Sequence, residues 1–227
     1  SGVTSIGREA FCGCTSLKSL AIPGEVTSIG RGAFSGCSSL ESVNIPDGIV
    51  SIEDEVFCGC CVLKSITIPE NVTAIGYDAF SGCLQIKSIS IPDGVNFING
   101  NAFNGCGLTS IAIPNSVKSI GSSAFANCKE LTSVRIGNGL KSMSILAFAY
   151  CVRLTSVYFN GTESPSSYSN AFMGCDALHS VVVPLGYEGE TFGGLPVLRD
   201  GITTKQAPGI ALIASTVSVA VFVIVAA

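Results

Sequence analysis

The chain contains a single histidine, His179, and no tryptophan, and only 12% of its 227 residues are charged. One histidine removes most metal sites built from imidazole and most reactions that need a His general base. The 12 lysines and arginines are scattered among 16 acids, for a net charge of −4. No basic stripe is left to follow a phosphate backbone, so nucleic-acid binding is not expected. Low charge beside 47% hydrophobic residues argues against disorder and for a large buried core. The first residue is Ser1, inside a repeat, and the sequence is read as a piece of a longer protein. A missing N-terminal leader therefore carries no information.

What is present is repetition. The stretch AFSGCSSLESVNIP (33–46) returns as VFCGCCVLKSITIP (56–69) and as AFSGCLQIKSISIP (79–92). Phe11, Phe34, Phe57, Phe80, Phe103, Phe125, Phe148 and Phe172 are separated by 23, 23, 23, 23, 22, 23 and 24 residues, and a cysteine follows each three residues later. A period in the twenties that contains L-x-x-L-x-L is the mark of a leucine-rich repeat solenoid.

Within one unit, the spacing of Ala33, Phe34, Cys37 and Leu40 predicts a short helical or 3₁₀ turn that buries one side. Leu40, Val43 and Ile45 alternate with Ser42 and Asn44, the pattern of a half-exposed strand, ended by Pro46. Asp47 and Gly48 then turn the chain into a second short apolar pair, Ile49 and Ile52. No unit can bury its own Phe, so units must stack, with strands roughly 4.8 Å apart. The expected fold is an α/β repeat solenoid with parallel sheet faces. Equivalent cysteines in stacked units stand one strand spacing apart, beyond the roughly 3.8 Å between Cβ atoms that a disulfide prefers. They are read as small buried thiols, with Cys12, Cys58 and Cys61 off the column and no zinc site expected.

The unit IPxxVTSIGxxAFxGCxxLxSIxIP, filled by Ile22 to Pro46 and by Ile68 to Pro92, resembles the BspA-like (Treponema-type) leucine-rich repeat. The resemblance covers residues 1 to about 184. It implies a right-handed solenoid on the surface of bacteria or protists that binds extracellular-matrix proteins or other cells. It brings no catalytic residues and no cofactor.

Residues 1–184 are thus assigned to about eight repeats of 22–24 residues, 185–207 to a cap and linker, and 208–227 to a membrane segment. The stretch 159–172 gains a residue and is expected to lose the VTSIG strand, leading into the cap. The last segment, PGIALIASTVSVAVFVIVAA, carries no charge. As a transmembrane helix it would span roughly 30 Å, the thickness of the hydrocarbon core. Three topologies stay open: a single-pass anchor, a lipid-anchor signal, and a tail anchor with the repeats in the cytosol. Arg199 and Lys205 lie on the repeat side, which taken alone favours the third. Asn71 (NVT) and Asn160 (NGT) are candidate N-glycosylation sites, although about two such triplets are expected by chance.

On the main strand the outward residue before the second apolar position is always serine: Ser19, Ser42, Ser65, Ser88, Ser110, Ser133, Ser156 and Ser180. With no base beside them these are read as structural hydroxyls that hydrogen-bond up the stack. The neighbouring outward positions vary, as a binding face requires. Lys64 and Lys87 among the early units, and Arg135, Tyr158 and His179 among the late ones, are the candidate partner-binding residues. Charge is also graded along the axis: seven acids and one lysine from Glu41 to Asp78, five basic residues and one acid from Lys118 to Arg153. The acidic triplet 53–55 lacks the further oxygen ligands of a calcium loop and is read as an exposed corner. The expectation is a non-catalytic, membrane-anchored surface protein whose repeat face binds a protein or glycan, for adhesion or recognition. The alternative is a tail-anchored interaction scaffold on the cytosolic side.

Overall fold

Stacking of the phenylalanines organises the molecule. All eight rings form one column, with successive centroids 5.0–5.5 Å apart and planes within 14° of parallel. Phe34, Phe57, Phe80, Phe103, Phe125 and Phe148 are 0% exposed, each contributing roughly 1.5–3 kcal/mol by leaving water. The computed structural model describes residues 2–167, 170–200, 210–214 and 222–226, and its first 200 residues wind into about eight turns.

The expected helical turn is not a helix: among the described residues none is helical. Two positions in each unit prevent it. The residue two before Phe and the residue two after it adopt positive φ, for example Glu55 (60°) and Gly59 (72°), or Leu146 (58°) and Tyr150 (59°). Alternation of right- and left-handed residues cannot continue a helix. It turns every second peptide along the stack instead. Gly32, Phe34 and Gly36 donate their N–H groups to the carbonyls of Asp54, Val56 and Cys58 in the next unit, while Ala33, Ser35 and Cys37 close local turns to Gly30, Gly32 and Phe34. The architecture is therefore a parallel β-solenoid whose third side is a ladder of turns. Each column thiol after Cys14 joins this ladder by donating to the Phe carbonyl of the preceding unit, from Cys37 to Phe11 O at 3.1 Å through Cys175 to Phe148 O at 3.0 Å. Seven of the eight column cysteines are buried, Cys14 at the first turn is exposed, and all eleven cysteines are free thiols.

Glycine at the left-handed position is a conformational requirement. A Cβ on Gly82 (φ 74°) would find its nearest atom at 3.7 Å, so space does not exclude a side chain there; backbone conformation does. Gly82→Ala should cost about 1–2 kcal/mol and Gly82→Asn less, since Asn127 occupies the equivalent place. Urea unfolding midpoints check both. Gly107 answers to space alone: a Cβ there would lie 2.0 Å from the Leu84 carbonyl oxygen, where the 22-residue unit cuts the corner short.

The other two sides are parallel sheets. In the first, Ser110–Ile113, Ser133–Ile136, Ser156–Phe159 and Val181–Val183 pair in register. In the second, Ser51–Ile52, Ala74–Ile75, Phe97–Ile98, Ser119–Ile120 and Ser142–Met143 do so. Ser166–Ser167 also pairs with Ser142–Met143, so the atypical stretch keeps the strand it was expected to lose: ladder bonds ask only for backbone. In the early turns the first sheet is interrupted. Ser19–Leu20 pairs with Ser42–Val43, but residues 65–68 and 88–91 form no strand despite alternating side chains. Ring spacing along the column runs from 5.2 Å at Phe11–Phe34 through 5.5 Å at Phe57–Phe80 to 5.0 Å at Phe125–Phe148, and is 5.5 Å again at Phe148–Phe172.

The last turn is covered by a hairpin. Thr191–Phe192 pairs antiparallel with Leu195–Arg199, which lies parallel to Val181–Val183. Phe192 is buried, its centroid 4.8 Å from that of Phe159. At the first turn Phe11, Leu17 and Leu20 are partly exposed.

The transmembrane helix expected over 208–227 lies half outside the described residues. Its two described pieces correct that expectation: Ile210–Ala214 and Phe222–Ala226 are strands, paired antiparallel from Ile210↔Ala226 to Ala214↔Phe222. A run rich in Val, Ile and Phe suits strands, and the pairing partner is the other half of the same run. Among the described residues no helix is long and apolar enough to cross a membrane.

Candidate functional site

Outward residues of the first sheet form the candidate site. The serine row stands exposed in the early turns and half-buried from Ser133 onward. The expected bonds up the stack are not there: among the described residues no hydroxyl of this row makes a side-chain hydrogen bond, whereas Cys, Thr and Asn side chains elsewhere do. Ser residues in register are held by backbone pairing, and their hydroxyls face outward. Together with Ala21, Asn44, Thr67, Ser90 and Ala112 they floor two shallow hollows of about 490 and 680 Å³.

At the late end the floor rises. Parallel register sets Arg135 beside Tyr158 and Tyr158 beside Val182. The Arg135 guanidinium lies over the Tyr158 ring, 4.9 Å from its centroid, an arrangement worth about 0.5–1 kcal/mol at an exposed site. The Tyr158 hydroxyl is enclosed and finds no hydrogen-bond partner among the described residues. Burial pushes its pKa up, opposed by Arg135 and reinforced by Asp200. A planar cation held on an aromatic ring is a preorganised contact, with little side-chain freedom left to lose on binding.

The remaining candidates are not gathered there. His179 is exposed at the margin of the same sheet. Lys64 lies three turns earlier and is paired with Glu41 at 2.7 Å; Lys87 lies one turn further on, its ammonium over Gly107. Asn71 and Asn160 are both exposed, and the Asn71 amide donates to the Asp47 carbonyl at 3.0 Å. The acidic triplet is engaged locally: Glu53 accepts from Ser51, Asp54 from the Tyr77 N–H at 2.7 Å, and Glu55 pairs with Arg31 at 2.6 Å. Cys58 and Cys61, which have C-x-x-C spacing, turn to different neighbours. Cys61 donates to the Ser38 carbonyl at 3.4 Å, and Cys58 contacts Ser35, its pKa raised first by burial.

Sequence reasoning missed two features. On the second sheet the outward row reads Ser51, Ala74, Phe97, Ser119, Ser142, and Phe97 is 50% exposed. Tyr77, 57% exposed, lies over Gly100 nearby. One aromatic in a row of small residues was the available signal. The second is a column of acids directly after the corner prolines, Asp47, Glu70 and Asp93, with Gly24 at the same place in the first unit and Glu25 one residue further on.

Comparison with known proteins agrees with this geometry. The model of the BspA type leucine rich repeat region matches residues 1–108 and 96–190, in six copies. The chain belongs to the BspA-type leucine-rich repeat family. A leucine-rich repeat protein from Bacteroides ovatus is 29% identical with a TM-score of 0.67, over 87% of this chain and 64% of that one. The leucine-rich repeat protein of T. pallidum is 33% identical with a TM-score of 0.62, over 67% and 72%. A leucine-rich cell surface protein from Faecalibacterium prausnitzii is 26% identical with a TM-score of 0.55, over 90% and 78%. This BspA-type chain thus spans 64% of the length of the B. ovatus protein. No curated protein matches it. Leucine-rich repeats generally mediate protein binding, and the fold is typically a non-catalytic interaction scaffold.

Proposed function

We propose that this BspA-type chain is a non-catalytic surface protein whose late turns bind a protein or glycan partner in adhesion or recognition, with 208–227 holding it at the membrane. The observation that carries the reading is Arg135 stacked on Tyr158, two residue types favoured as interface anchors, rising from a floor of serine, alanine and threonine. A cell-surface relative in F. prausnitzii and a charge-free C-terminal run support the location. Extracellular-matrix proteins and the surfaces of other cells are the partners to screen.

Two measurements test it. An epitope in a repeat loop of the full-length protein is expected to be labelled on intact cells; labelling only after permeabilisation would replace this reading with the cytosolic-side scaffold that Arg199 and Lys205 favour. On arrays of matrix proteins and glycans, Arg135→Ala and Tyr158→Ala are each expected to weaken capture about tenfold or more, while Lys87→Ala leaves it within about twofold. Equal binding by all three variants would move the site elsewhere.

A further inference from the structure

The first four turns of the first sheet carry a charged row on each margin. One margin holds Lys18, Glu41, Lys64 and Lys87, and the other, past the corner, holds Asp47, Glu70 and Asp93 in register, with Glu25 one position further along the first turn, all exposed. Between them lies the floor of small residues, with Asp93 on the rim of the larger hollow. Among the described residues none of the four corner acids is in an ion pair, nor are Lys18 and Lys87. Both charged rows stop together. From the fifth turn on, the margins carry Thr109, Thr132 and Thr155 on one side and Asn115 and Asn138 on the other.

We propose that this four-turn surface is a self-association surface whose occupant is a second copy of the chain, related by a two-fold axis parallel to the stack. Rotation about such an axis keeps each turn beside its own counterpart and exchanges the margins. Lys18 then faces Glu25 of the second copy, Lys64 faces Glu70 and Lys87 faces Asp93, each pair occurring twice by symmetry. The second turn sets Glu41 against Asp47, but Glu41 is held by its own Lys64 at 2.7 Å. An axis across the stack would instead lay basic margin on basic margin and acid on acid, so the charges select the parallel arrangement. Small floor residues let two such faces approach to the roughly 10 Å of packed sheets. Beyond the fourth turn Arg135 would meet Arg135 of the second copy, which ends the contact and leaves the late turns open for another partner. Four turns, roughly 20 Å by 23 Å from strand geometry, make a weak dimer by the standard of stable interfaces.

Sedimentation velocity of the full-length chain in a density-matched non-ionic detergent, from about 10 to 200 μM, tests this. A concentration-dependent dimer that weakens at high salt is expected. Lys64→Glu with Lys87→Glu in one chain, and Glu70→Lys with Asp93→Lys in another, should each weaken self-association at least about tenfold. An equimolar mixture of the two should recover the parental affinity. A chain monomeric throughout, a dimer indifferent to both double variants (as association through 208–227 would give), or a mixture without recovery would each overturn the proposal. Circular dichroism of both variants checks that the solenoid is intact. Arg135 and Tyr158 are untouched in them, so partner capture by the late turns is read independently.

Discussion

Phe80→Ala is expected to lower the free energy of unfolding by about 3–5 kcal/mol, measured by urea titration at pH 7. The ring is 0% exposed and stacked between Phe57 at 5.5 Å and Phe103 at 5.3 Å. Its loss removes apolar burial and two ring contacts, and the turn ladder on both sides leaves the cavity little freedom to collapse. In a solenoid, stability is close to a sum over neighbouring units. The damage therefore falls on coupling between the two halves, and a second, earlier unfolding transition should appear. A cost below about 1 kcal/mol for Phe80→Ala would mean that the column is not what joins the units.

Stability should also fall steeply in alkali. Burial pushes the Cys60 thiol up to about 12 and those of Cys83 and Cys106 well above their ordinary range, with repulsion from neighbouring cysteines adding to it. These groups stay protonated in the folded chain while the unfolded chain releases their protons above about pH 8.5. Above that pH the unfolded state binds fewer protons, so stability is full below it and is lost as pH rises toward the folded values. Each such thiol contributes about 1.4 kcal/mol per pH unit. Urea midpoints between pH 8 and 10 should therefore decline, and Cys83→Ala should show a shallower decline by about one thiol's worth. A flat profile over this interval would show that the thiols ionise equally in both states.

Much of this was legible before any coordinates. Phe, Cys, Leu and Ile recur at fixed offsets, and burial at period two on the main strand reads directly from Leu40, Val43 and Ile45, each with its neighbours outward. The turn was misread because Ala33, Phe34, Cys37 and Leu40 satisfy a helical spacing equally well. What denies the helix is backbone handedness at Gly32 and Gly36, and a glycine fits either hand. Where Glu55, Asp78 or Leu146 stands at the same place, even the glycine signal is missing. The serine row was misjudged for a related reason: a hydroxyl in register has a neighbour at hand, but whether it turns to it or to solvent depends on a rotamer that composition does not specify. Of the candidate contacts, Arg135 and Tyr158 were identified singly, and only strand register made them a pair.

The amino-acid sequence alone determined the period, the identity of the core column, the parallel stacking and the family. Each follows from residues that must be buried at a fixed interval and cannot be buried within one unit. Tertiary structure decided the rest: that the third side is a ladder of turns, that the early part of the first sheet is interrupted, that Arg135 rests on Tyr158, and that two charged margins run along the early turns. These depend on backbone handedness and on which neighbour each unit meets, and neither is encoded in the spacing of apolar residues.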